Sequence, residues 1–107
     1  MTSAQDIVGS IDNILEHLKP NGQGREALEY GNLLLTNLMT LLRPIRIKEQ
    51  EPGGPKTYTG AERGGLPLEK VRPLKASVFR GVKEIESGDQ LAARQTFTTA
   101  RDTWLGD

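Results

Sequence analysis

The chain has 107 residues, 36% of them apolar and 26% charged, with fourteen basic side chains balancing fourteen acidic ones. That length and composition describe one globular domain with a modest core. The absence of cysteine excludes a disulfide framework and any thiolate-bound metal.

The opening MTSAQDIVGSIDN has no basic stretch and reaches an acid at Asp6, so no secretory leader is expected. Ser3 followed three residues later by Asp6 predicts a capping-box start to a first helix. Its apolar residues Ile7, Val8, Ile11, Ile14, Leu15 and Leu18 recur at helical spacing. Pro20, Asn21 and Gly22 are expected to stop that helix and turn the chain. A second helix is predicted from about Arg25 to Arg43. Ala27, Leu28, Gly31, Leu34, Leu35, Leu38, Leu41 and Leu42 form one broad stripe, with Tyr30, Leu33 and Met39 spilling onto its flanks. A helix apolar this far round is central in a core or buried against a partner. Gly31 weakens it by about 1 kcal/mol relative to alanine, and close approach of another backbone would compensate.

Pro44 ends the second helix. Residues 46–67 then hold five of the twelve glycines and three of the six prolines. PIRIK and KTYT are strand-like, and the intervening EPGG predicts a β-hairpin over roughly 45–59 turned by Pro52, Gly53 and Gly54. TGAERGG reads as irregular linker. A third helix is expected to start at Pro73, proline being tolerated in a first turn. Leu74, Val78, Val82 and Ile85 form its stripe, with Phe79 beside it. Ser87-Gly88 ends it, and Asp89 caps a fourth helix whose buried face is Ala93, Phe97, Ala100 and Trp104. Gly81, Gly88-Asp89, Ala93, Phe97 and Ala100 stand at the spacing of the glycine, turn, alanine and aromatic positions of a tetratricopeptide-type helical hairpin, which this segment resembles. Ser77, Arg80 and Glu84 stand where that repeat prefers apolar or aromatic residues. The resemblance implies a way of packing, in which small residues let two antiparallel helices approach and one aromatic ring fills the gap.

The expected fold is mainly α: a single domain over 1–107 built as a small bundle of about four helices. Two antiparallel hairpins, 3–43 and 73–105, are joined by a Gly/Pro-rich basic arm at 44–72, either a long loop or a β-hairpin.

Little in the sequence points to catalysis. His17 follows Glu16, with Asp12 nearby, but no second histidine or Glu-x-x-His pair completes a helical metal site. GGPKT lacks the glycine before lysine, and the preceding one, that a phosphate-binding loop needs. No histidine or lysine is placed to activate Thr96, Thr98, Thr99 or Thr103 as a nucleophile. Glu26 and Glu29, one turn apart, are expected to face solvent. No catalytic residue, metal or cofactor is therefore expected.

Charge is the stronger signal. Residues 1–42 hold two basic against five acidic side chains, residues 43–83 ten against four, and residues 84–107 two against five. Such asymmetry speaks to association rather than to fold. The expected function is a non-enzymatic protein–protein interaction module, whether assembly subunit, adaptor or inhibitor. Its contacts would be Arg43, Arg46, Lys48, Lys56, Tyr58, Arg63, Lys70 and Arg72 of the basic segment, extended by Lys75, with Leu33 and Met39 of the second helix. The partner would be a protein with acidic surface, another copy of the chain included. The alternative is nucleic-acid or polyanion binding through the basic 43–75 segment; zero net charge, interleaved glutamates and a single stacking ring, Tyr58, weigh against it. A third reading makes the arm a solvated insertion. The longest uncharged run, Tyr30 to Leu42, is 13 residues, short of the roughly 20 that span a bilayer. The expected setting is soluble and cytoplasmic, without membrane contact.

Overall fold

The computed structural model describes residues 3–18, 24–47, 56–59, 61 and 65–106. It is mainly helical. The elements run α1 (Ala4–His17), α2 (Gly24–Leu42), β1 (Pro44–Ile47), β2 (Lys56–Thr59), α3 (Leu68–Glu86) and α4 (Gln90–Leu105).

α1 starts as its sequence dictates. The Asp6 amide donates to the Ser3 hydroxyl at 3.1 Å, and the Ser3 amide donates to the Asp6 carboxylate at 2.9 Å. The backbone hydrogen bond from Ser3, seconded by its side chain, holds the Asp6 carboxyl below its ordinary value. Because the folded value is the lowered one, this bond supports folding above the unfolded carboxyl's titration and is lost as pH falls through the folded value. The protection of the first-turn amides of α1, taken relative to their intrinsic exchange rates at each pH, is therefore expected to fall in acid. Asp6→Asn should flatten that pH dependence, and an unchanged profile would contradict the assignment.

α2 stops where Pro44 follows Arg43. β1 and β2 then pair antiparallel, with Ile45 opposite Tyr58 and Arg46 opposite Thr57. The substantial contacts of this ribbon are between its own two strands. The turn expected at Pro52–Gly54 and the one at Pro20–Gly22 lie outside the described residues. Beyond the ribbon, the stretch that reads in sequence as irregular linker is pinned to the core at Ala61 and, just past it, at Leu66. Ala61 is fully buried and Leu66 nearly so, and the Leu66 amide donates to the Ala61 carbonyl at 2.8 Å. Gly65, at φ +75°, makes the intervening bend, a backbone region that glycine adopts without strain.

The third helix corrects the expected boundary. It begins at Leu68, not Pro73, so Lys70 and Arg72 lie on a helix rather than on an arm. Lys70 and Val71 amides both reach the Pro67 carbonyl, which makes Pro67 the entry proline. Pro73 sits inside the second turn, where it removes one intrahelical hydrogen bond. Burial outweighs that loss: Val71 is fully buried and Leu74 nearly so, both in phase with Val78 and Ile85. α3 ends at Ser87, and Gly88 turns the chain at φ +87°. Asp89 then caps α4 by accepting from the Ala92 amide at 3.1 Å.

α1 packs on α2 and α4, α2 on α3, and α3 on α4. The last pair runs antiparallel, since Lys70 near the start of α3 meets Trp104 and Gly106 at the end of α4, while Glu84 near its end meets Thr96. Phe97 is fully buried and sits between two glycines. A Cβ on Gly81 would lie 2.6 Å from the Phe97 ring; one on Gly31 would lie 2.9 Å from Val82 Cγ2 and 3.9 Å from Phe97 Cζ. Gly31 thus admits side chains, not the second backbone its position suggests. Glu84, polar where the tetratricopeptide pattern is not, accepts the Thr96 hydroxyl at 2.5 Å across the α3–α4 seam.

Candidate interaction surface

α2 has α1 against one side and α3 against the other, so its outer strip has no neighbouring helix. Leu33 and Met39, expected as apolar anchors, are both at the surface, 60% and 53% exposed. Six residues of helix separate them by about 120° around the axis, so they flank the strip rather than share one side. Tyr30 is already engaged, its ring centroid 5.0 Å from that of His17.

Where α2 ends against α3, a surface groove of about 590 Å³ is lined by Leu42, Arg72, Lys75, Ala76 and Phe79. The α3 members recur at i, i+3, i+4 and i+7, so one helix face supplies them all. Phe79 is half exposed. Lys83, one turn on, holds its ammonium 5.4 Å from the Phe79 centroid while pairing with Glu86 at 3.3 Å. Arg43, exposed, follows Leu42 and leads into β1. Met39 precedes Leu42 by one turn. Among the described residues, no carboxylate pairs with Arg43, Arg72 or Lys75. The groove is therefore an apolar floor edged by Arg72 and Lys75, with which no carboxylate of the described residues pairs.

Of the contact residues expected from sequence, Arg72 and Lys75 line this groove, Met39 lies one turn before Leu42 on α2, Arg43 follows the end of α2, and Leu33 lies away from it. Lys70 has an internal role: its ammonium donates to the carbonyls of Trp104 at 3.4 Å and Gly106 at 3.0 Å, a cation against the negative end of α4. Arg46, Lys56 and Tyr58 are carried by the ribbon, and Lys48 and Arg63 lie outside the described residues. Sequence reasoning missed Phe79 and Ala76 as surface groups. Their signal was present in the i, i+3, i+7 recurrence of Arg72, Lys75 and Phe79, just off the buried stripe.

Elsewhere the polar groups serve the fold. His17 has Nδ1 2.8 Å from the Asn13 carbonyl and Nε2 2.9 Å from Glu26, so both ring nitrogens face acceptors and tie α1 to α2. Arg101 reaches Asp12 at 2.6 Å, joining α4 to α1. A smaller cleft of about 170 Å³ between α3 and α4 is lined by Pro73, Leu74, Ser77, Thr103 and Trp104 among others. Among the described residues, no group of three potential metal ligands gathers, and no helix is long and apolar enough to cross a membrane. The chain matches no protein-family model, no curated protein and no solved structure.

Proposed function

We propose that this chain is a non-enzymatic protein–protein interaction module that takes an acidic, amphipathic segment of a partner into the α2–α3 groove. The observation that carries the reading is the coincidence of half-exposed Phe79 with Leu42 and with two cations, Arg72 and Lys75, that no carboxylate of the described residues neutralises, Arg43 following Leu42 in the chain. A partner helix would set apolar side chains at i, i+3 or i+4, and i+7 on Leu42, Ala76 and Phe79. Its flanking carboxylates would meet Arg72 and Arg43, whose planar guanidinium groups suit bidentate contacts. The basic ribbon, rooted at Arg43, would extend that field and raise the encounter rate, an effect that weakens with salt.

Selection of surface-displayed random 16-residue peptides on the immobilised chain tests this. Retained sequences are expected to carry aspartate or glutamate beside apolar residues at helical spacing. The charge reversal Arg72→Glu with Lys75→Glu should weaken their binding on the order of 100-fold, about 2.7 kcal/mol. Retained peptides without acids, or binding indifferent to the double reversal, would overturn the proposal.

A further inference from the structure

We propose that the chain also pairs with a second copy of itself through the outer strip of α2, the two helices lying antiparallel about a two-fold axis at Thr36. This surface shares Arg43 with the approach to the groove but none of the groove's lining residues, and it does not depend on the groove's role. The strip is exposed along its length and centred on the line Glu29, Thr36, Arg43. Seven-residue steps drift only about 20° around a helix, so Glu29 and Thr36 share one line, which Arg43, the first residue past the end of α2, continues with its amide still bonded to the Thr40 carbonyl.

The strip is self-complementary in one orientation only. In an antiparallel pair crossing at Thr36, residues equally far before and after it come level across the axis. Glu29 of one copy then faces Arg43 of the other, and Leu33 comes level with Met39 of the other. The two-fold makes each relation occur twice. A parallel pair would instead set Glu29 beside Glu29 and Arg43 beside Arg43, and like charges at that range repel. Both charges are available. Glu29 has only a loose 3.9 Å contact with Arg25, with both side chains largely exposed, at 72% and 89%. Arg43 pairs with no carboxylate among the described residues. At the centre Thr36 is small and exposed, which permits close approach of the two helices. Leu33 and Met39, the two most exposed large apolar side chains of α2, lie on either side and gain cover from the pairing. A strip this narrow buries less than a standard interface, so the pair is weak and depends on concentration.

The natural chain has no cysteine, which makes the axis directly testable. Thr36→Cys should form a disulfide-linked dimer under mild oxidation roughly tenfold faster than the exposed control Thr98→Cys, since only residues near the axis bring two Cβ atoms within reach of a disulfide. In sedimentation of the full chain at up to roughly 1 mM, a range that detects a pairing of about 4 kcal/mol, E29R alone and R43E alone should each shift the population to monomer. E29R and R43E together, in one chain, should restore the dimer. Cross-linking of Thr36→Cys no faster than the control, or a double reversal that stays monomeric, would overturn the pairing. Acidic peptides binding the groove of a strictly monomeric chain would sink this inference alone and leave the groove standing.

Discussion

Phe97→Ala is expected to remove about 3–5 kcal/mol of folding stability, a large part of the 5–15 kcal/mol that a domain of this kind possesses. Phe97 is fully buried, and its ring lies against α3 at Gly81 and reaches toward α2 at Gly31. Truncation would empty the space where three helices meet, and glycine has no side chain with which to fill it. The cost lies at the upper end because two of the nearest positions are already as small as a residue can be. Urea unfolding measures it as a lower midpoint at unchanged slope. A loss below about 1 kcal/mol would mean that the seam collapses around the hole, and that Phe97 is not the ring that spaces these helices.

The second large effect is a change of sign. Gly81→Ala in the natural chain places a Cβ 2.6 Å from the Phe97 ring atoms Cε2 and Cζ. Alanine is the better helix former by about 1 kcal/mol, but a contact this short forces the ring or the backbone to move, at about 1–3 kcal/mol. Because Phe97 is locked in the core, the steric term wins and the variant is destabilised. In a Phe97→Ala background the obstacle is gone. There Gly81→Ala should instead stabilise by up to about 1 kcal/mol, the helix-propensity gain alone. The double-mutant cycle therefore carries a coupling equal to the steric cost, about 1–3 kcal/mol. Additive effects would show that Gly81 and Phe97 do not constrain one another.

These two positions also mark what the sequence makes legible. Gly81 and Phe97 are read from the spacing of small and aromatic residues, and the helices from their periodic stripes, because burial writes itself into single-helix period. The entry to α3 was harder. Two prolines, Pro67 and Pro73, compete for the first turn, and the deciding residue is Val71, whose phase with Leu74 and Val78 extends the stripe upstream. Lys70 reads as one more cation of the basic segment, because no local pattern reveals that the end of α4 returns to its ammonium. Phe79 was visible as an off-stripe aromatic, but its juxtaposition with Leu42 depends on how α2 and α3 are set against each other. That offset is fixed by Gly31 meeting Val82, and no single helix's period encodes it. The outer strip of α2 lay in plain view as Leu33 and Met39, yet which residues share it follows only once α1 and α3 have claimed the other two sides.

The central claim is that the floor of Leu42, Ala76 and Phe79, edged by Arg72 and Lys75, receives an acidic helical segment. Its most direct measurement is backbone and methyl chemical-shift mapping of the full chain titrated with an acidic amphipathic peptide retained in the selection. The account predicts shifts concentrated at Leu42, Arg72, Lys75, Ala76 and Phe79, diminishing as salt is raised. Shifts centred on the α3–α4 cleft around Ser77 and Trp104, or on the α1 face around Asp12 and Glu16, would contradict it.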